Sequence, residues 1–355
     1  MNLSSDKKAI VREIWEECFI DTPQWLDMFF SKAYNDNDAL ILKNGDKPVC
    51  SMLLRQYEMT FWSENIKTGY IIGAATKQSE RGKGFMSELI RVAIHHAYKR
   101  GDLLISLIPA SKSLFSYYSK FGFSSVFKVD KNIYDSDFNI ITQKRYCRIS
   151  DFDFNDAYKF FHKCEIQNNG TILHSPNDFS QIIEDNKLDN GIILTIRQNG
   201  EREIAAIGFA IINTEERQLL VKDILYIDND AYNGWLKELK RLYHGFSIIV
   251  IGPINPEHGD SLPFGMMRIV NVGKILAVIA RQNKNLKISI QVHDNLLPEN
   301  NAVFIIKSGF VSSSSQSTMM PNLDITIDTL TEILFGNINI SELPNVKPFM
   351  SLMLE

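Results

Sequence analysis

Residues 78–90, QSERGKGFMSELI, set two glycines around a lysine, with an arginine just before and an amphipathic run just after. Consecutive backbone N–H groups at a helix start form a cradle for an anion, and the helix dipole reinforces it. Gly82 and Gly84 lack the Cβ atoms that would hold a phosphate away from those amides. Arg81 and Lys83 place positive charge at the same spot. Two common phosphate loops are excluded by spacing: a dinucleotide fingerprint needs G-x-G-x-x-G and a Walker A loop needs G-x-x-x-x-G-K-[ST]. The bland alternative is a purely structural turn.

The elements needed to hold this turn are legible around it. TGYIIGAAT is an apolar strand running into it, and the helix after it puts Phe85, Met86, Leu89, Ile90, Ala93, Ile94 and Ala97 on one face before Gly101. LLISLIP is the next strand. Upstream, DALILKNGDKPVCSMLL reads as a hairpin turning at Asn44-Gly45. Two helices precede it, one with Ile10, Ile14, Trp15 and Cys18 in a stripe, the other from Pro23 to Ala33. Residues 190–253 repeat this order: a hairpin about Asn199-Gly200, the strand QLLVKDILYI, the helix AYNGWLKELKRLYH closed by Gly245, and the strand FSIIVIGP. Between strand and helix, however, this copy has Asp228-Asn229-Asp230-Ala231, with no glycine and no base. Two carboxylates there would repel a polyphosphate, so the second copy reads as structural.

From about residue 264 the texture changes. MMRIVNVGKILAVIA reads as a helix, NLKISIQVHD and NAVFIIKSG as paired strands, LDITIDTLTEILFG as a strand leading to a helix, and SSSSQS (312–317) as a polar loop. The expected chain is α/β (mixed α+β) in three units: 1–140, 141–256 and 257–355. A length of 355 residues fits that division, because one core rarely grows so large. The final LPNVKPFMSLMLE is too apolar for a free tail and is expected to dock.

Composition narrows the partners. A formal net charge of -4 disfavours nucleic acid. Cys18, Cys50, Cys147 and Cys164 include no C-x-x-C pair, and the histidines are scattered, so no metal site is expected. No apolar run approaches the ~18 residues that span a bilayer, and the N-terminus is polar, so a cytoplasmic protein without a membrane partner is expected.

The strand, turn and helix resemble motif A of the GNAT superfamily of acyl-CoA-dependent N-acyltransferases, in which [RQ]-x-x-G-x-[GA] follows a strand of small and apolar residues. Gly82 and Gly84 fill both glycine positions, but Ser79 stands at the first [RQ] position, so that charge must come from Arg81 or be missing. The resemblance implies a coenzyme A pyrophosphate on Arg81, Gly82, Lys83, Gly84 and the helix start at Phe85, Met86 and Ser87. It implies pantetheine amides along Ala74, Ala75 and Thr76. SLFSYYSKFGF (113–123) resembles the motif B ending Y-x-x-x-G-F, which implies Tyr118 as proton donor to the departing thiolate, with Ser113 and Leu114 near the cofactor. A phenol near ~10 is protonated at neutral pH and lies close to a thiol's ~8.5. Tyr117 is the rival, and beside Phe121 and Phe123 such a ring could also be core.

The whole order of units resembles the Eis (enhanced intracellular survival) family: an active N-terminal acyltransferase domain, a degenerate second one and a sterol-carrier-like third. That resemblance implies acetyl-CoA as co-substrate, an amine of a small molecule or lysine as acceptor, and direct ternary-complex transfer without a metal. It also implies the α-carboxylate of Glu355 as general base. A solvated α-carboxyl near ~3.5 is a poor base for an ammonium near ~10.4, and burial narrows that gap. Trp15, Phe19, Trp25, Phe29 and Phe30 read mostly as core, with Asp21 or Asp27 able to attract an ammonium. A non-catalytic acyl-CoA or lipid binding protein on the same scaffold is the alternative, and long-chain acyl transfer a runner-up. A homo-oligomer is compatible with the sequence.

Overall fold

The computed structural model describes residues 4–253, 261–315, 320–336 and 338–354. The first unit contains helices α1 (Ser4–Cys18) and α2 (Pro23–Met28), the latter continued by a π-helical turn over Phe29–Ala33. Strands β1 (Ala39–Asn44), β2 (Lys47–Phe61) and β3 (Glu64–Thr76) follow, then α3 (Phe85–Arg100), β4 (Leu104–Leu107), α4 (Lys112–Ser119) and β5 (Ser124–Tyr134). β2 is buried along nearly its whole length because helices cover both faces of the sheet. α3 turns Leu89, Ile90, Ala93, Ile94 and Ala97 onto one face, while Val11 and Trp15 of α1 close the other. Trp15 lies so close over β3 that a Cβ on Gly73 (φ +59°) would sit 1.9 Å from its ring. Glycine is required there.

The second unit contains β6 (Tyr146–Arg148), α5 (Phe154–Ile166), β7 (Ile172–Leu173), α6 (Pro176–Leu188), β8 (Gly191–Gln198), β9 (Ala206–Asn213), β10 (Gln218–Tyr226), α7 (Asn229–Leu242) and β11 (Ser247–Gly252). The third contains β12 (Leu262–Ile269), α8 (Val272–Gln282), β13 (Ile288–His293), β14 (Val303–Lys307), β15 (Phe310–Ser314), β16 (Leu323–Thr326) and α9 (Ile327–Phe335).

Among the described residues the first two units share one sheet, in the order β1-β2-β3-β4-β12-β5-β11-β10-β9-β8-β6, with β7 pairing β2. The third unit adds a smaller sheet, β15-β14-β13-β16. β12 runs antiparallel between β4 and β5, so the third unit's first strand completes the first unit's sheet. Two sequence expectations are corrected here. Met266–Ile269 are strand, and the helix begins after Asn271, whose side chain accepts from Lys274 N at 3.0 Å. Every residue from Gly265 to Ile269 is buried, Arg268 included, and a short run buried on both faces cannot be told from a buried helix by its period. Ser312–Ser314 belong to β15, an exposed edge strand whose polarity imitates a loop.

Leu343, Val346, Met350 and Leu354 are buried, so the apolar tail is docked as expected. Phe349 bridges Thr171 in parallel, tying the tail to the second unit. No described helix is long and apolar enough to cross a membrane.

Candidate active site

β3 ends at Thr76, a 3-10 turn follows over Gln78–Glu80, and α3 begins at Phe85. Gly82 and Gly84 adopt φ of +77° and +90°, the left-handed region that glycine enters without a Cβ penalty. A Cβ at either position would meet no heavy atom within 4 Å, so both face open space. Gly84 precedes the helix and supplies no side-chain cap. No described residue accepts from the N–H groups of Gly82, Lys83, Gly84, Phe85, Met86 or Ser87. The positive end of α3 therefore looks into a concavity of about 340 Å³ walled by Thr76, Glu80, Arg81, Met86, Ser87 and Tyr117.

The two bases of the turn are used unequally. Lys83 Nζ donates to Glu80 Oε2 at 3.0 Å, and that bond holds the Glu80 carboxyl below its ordinary range. Arg81 Nε donates to the Thr76 carbonyl at 3.1 Å, which leaves its terminal nitrogens without a described acceptor. Arg81 thus remains available to an anion, while Lys83 is partly neutralised.

β3 and β4 separate beside this turn. Their parallel ladder runs from Thr68↔Leu104 to Tyr70↔Ser106 and stops, while β3 continues to Thr76. Ala75 and Thr76 stay paired with Ser51 and Cys50 of β2, so the edge of Ile71–Thr76 that faced β4 has no ladder partner. The Thr76 carbonyl is already taken, by Arg81 and by Cys18 Sγ at 3.3 Å. A ligand amide along this edge would therefore meet Ala74 and Ala75 more freely than Thr76.

Tyr118 on α4 is 7% exposed and packs edge-on against Tyr117 and Phe123, with ring centroids 5.5 and 5.9 Å away. Burial pushes its phenol up to about 12, and its hydroxyl has no described hydrogen-bond partner. Tyr117, the rival, turns its hydroxyl to Ser87 Oγ at 3.0 Å and lines the concavity. Nearby Cys50 accepts from Thr76 Oγ1 at 3.3 Å, and burial pushes its thiol up to about 11. It stays protonated at neutral pH and makes a poor nucleophile. Ser113 is exposed and lies 3.0 Å from Ser111 Oγ, while Leu114 packs on the core; neither lines the concavity.

A second cavity, of about 480 Å³, opens between the first two units and the C-terminal tail. Asp21, Asp185 and Asp189 line it with Lys222 and Trp25. Trp15 Nε1 donates to Asp21 at 2.7 Å, and Trp25 Nε1 donates to Asp185 at 2.8 Å. Lys222 donates to Asp189 at 2.8 Å and Asp185 at 3.3 Å. Burial would lower the Lys222 ammonium, but these carboxylates outweigh it and raise it. With three acids and one base the cavity favours a cation. Trp15, Phe29 and Phe30 are core, as expected, whereas Trp25 is core that also reaches the cavity wall. Asp27 lies away from it, paired with Arg12 at 2.8 Å. Asp185, Asp189 and Lys222 carry no local sequence signal, since α6 and β10 bring them here from the second unit. Phe349–Met353 of the tail also line this cavity; Glu355 lies outside the described residues.

Among the described residues no cluster of histidine, cysteine and carboxylate side chains could hold a metal. His174 is buried against Glu165 at 2.5 Å, and His258 lies outside the described residues.

Residues 2–126 match the family described as Acetyltransferase (GNAT) domain, and residues 272–347 match Sterol carrier protein domain. A GCN5-related N-acetyltransferase from Anabaena variabilis superposes with a TM-score of 0.77 at 13% identity, over 98% of this chain and 97% of that one. An Enterococcus faecalis protein described as a probable N-acyltransferase gives 0.75 at 13%, over 94% and 89%. Eis1 from Mycobacterium abscessus gives 0.74 at 13%, over 96% and 89%. No curated protein matches the sequence significantly. The chain thus joins a GNAT acetyltransferase domain to a sterol carrier protein domain, within an overall fold shared with Eis1.

Proposed function

We propose that this protein is an acetyl-CoA-dependent N-acetyltransferase that acetylates a primary amine of a small molecule or of lysine directly, within a ternary complex. One observation carries the reading: the amide N–H groups of Gly82–Ser87 are open at the start of α3, beside a strand edge freed by the divergence of β3 and β4. Amides so arranged suit the pyrophosphate of coenzyme A, with Arg81 at their rim. Ala74 and Ala75 offer backbone groups to the pantetheine arm. Coenzyme A supplies a thioester, whose sulfur is the leaving group.

Tyr118 holds a hydrogen toward that sulfur. With its phenol near about 12 and a thiol near ~8.5, full proton transfer is uphill, so Tyr118 first stabilises the thiolate as a hydrogen-bond donor. The acidic cavity lined by Asp21, Asp185 and Asp189 receives the amine, the tail lines it as far as Met353, and the Glu355 α-carboxylate is assigned as general base. The raised thiol of Cys50 argues against an acyl-cysteine intermediate. The same reading divides the chain into a catalytic unit at 1–140, a second at 141–256 and a carrier-like unit at 257–355.

The test pairs calorimetry of acetyl-CoA and a longer acyl-CoA with an amine panel that follows release of free thiol. Tight acetyl-CoA binding with amine-dependent thiol release is expected. Binding without turnover on any amine would leave a carrier and defeat the proposal.

A further inference from the structure

The second unit opens a gap of its own. The parallel ladder of β10 and β11 stops at Val221↔Val250, while β10 continues to Tyr226 through a bulge between Val221 and Asp223. In the first unit the matching gap is read as a donor site. Here the chain's own end runs past it.

Phe349 N donates to Gly170 O at 3.0 Å, and Ile172 N donates to Phe349 O at 3.3 Å. Gly170 (φ +88°) lets the tail lie against it, since a Cβ there would stand 2.6 Å from Val346. Two residues on, Ser351 Oγ donates to Asp223 Oδ2 at 2.6 Å. Asp223 is 3% exposed, and its other oxygen accepts from Ile224 N at 2.8 Å. Beyond Ser351, Leu352 adopts φ +53° and packs against the apolar cluster that α5, α6 and β9 build, while Leu354 is buried in the core that the first and third units share. Ser351 lines both the acidic cavity and a separate one of about 350 Å³ on its other side. It is the last described tail residue whose side chain makes a hydrogen bond.

A carboxylate buried this deeply costs free energy unless hydrogen bonds offset its lost hydration, and Ser351 supplies one of the two described for Asp223. We infer that Asp223 is a positioning residue: by anchoring Ser351 it fixes residues 349–353 of the tail at the acidic cavity, and the gap between β10 and β11 docks this tail segment. The anchoring follows from contacts in the second unit. What the anchored end then does rests on the proposed function.

The experiment uses the full chain with Asp223→Asn, Ser351→Ala, the double variant and Ser351→Thr. Carboxypeptidase release of the terminal residues, followed by mass spectrometry, reads the anchor without reference to catalysis. Each single variant should speed release about tenfold or more, as expected for loss of a hydrogen bond to a buried charge. The double variant should add little to either single, and Ser351→Thr, which keeps the hydroxyl, should restore protection. If Asp223→Asn fails to fold, the half-buried Ser351 variants carry the test alone. Release at the wild-type rate, or additive effects in the double variant, would overturn the anchor. Turnover read in parallel separates the two ideas. Faster release with kcat about tenfold down and KM for acetyl-CoA unchanged supports both. Faster release with unchanged kcat supports the anchor and removes the terminus from the chemistry. A fall in kcat without faster release overturns the anchor.

Discussion

The two strand-to-helix junctions of this chain occupy equivalent places in the two halves of one sheet and treat the same electrostatic problem oppositely. The start of α3 presents uncapped amides through Gly82 and Gly84 and leaves its positive end to an outside anion. The start of α7 is satisfied from within. Asp228 Oδ1 accepts from Ala231 N at 2.7 Å, and Asp230 accepts from Gln143 N at 2.7 Å, Lys144 N at 3.1 Å and Tyr146 Oη at 3.0 Å. Those donors, Gln143 N first, hold the Asp230 carboxyl below its usual range. A helix N-terminus attracts negative charge in either case. What differs is who provides it, and that difference separates a candidate donor site from a structural joint.

Making the first junction resemble the second should have the largest effect. Gly84→Asp adds both a Cβ and a carboxylate where φ is +90° and the space is open. Acetyl-CoA affinity is expected to fall at least ~100-fold, about 2.7 kcal/mol, in calorimetry, while the melting temperature falls by only a few degrees from the strain of a side chain at this φ. Retained affinity would show that the donor binds elsewhere. Next in size, Tyr118→Phe should lower kcat about 10²-fold and leave KM for acetyl-CoA nearly unchanged. The phenol is raised to about 12, so its proton is held at every lower pH and is lost only as pH climbs through that value. The wild-type kcat profile should therefore rise with pH as the base ionises and then stay level to pH 10. An alkaline fall centred near pH 9 would place the tyrosine in a more solvated setting than it has here.

The contrast also shows what a sequence can reveal. Gly82, Gly84, Tyr118 and the acids at 228 and 230 are local patterns, and the structure keeps each pattern intact. Spacing prefers Tyr118 to Tyr117, but it does not reveal that these neighbours on α4 meet different surroundings, Tyr118 the core and Tyr117 the concavity. Convergence over distance was illegible. Asp185, Asp189 and Lys222 reach the acidic cavity by the packing of α6 and β10, and Asp223 meets Ser351 across 128 positions. β12 was hidden for another reason: a strand buried on both faces has no alternation to betray it.

A smaller effect is expected at the second junction. Asp228→Ala removes the cap on Ala231 N and should cost about 1 kcal/mol in urea unfolding. Acetyl-CoA affinity should not change, because nothing in α7 touches the first turn's concavity.

The smallest effect is a null that the comparison demands. Replacing Asp228, Asn229 and Asp230 with Gly, Lys and Gly would give α7 amides and charge like those of α3, yet one donor per chain should still be measured by calorimetry. Glycines remove side-chain obstruction and carboxylate repulsion, but the two junctions differ in length as well: eight residues separate Thr76 from the start of α3, whereas two separate Tyr226 from the start of α7. A longer turn can fold over a diphosphate, and a short one cannot. The strand gap that would take the pantetheine arm is moreover engaged by the tail through Ser351 and Asp223. A second site that appeared on glycine substitution alone would mean that helix amides suffice for donor binding and that the strand gap contributes little.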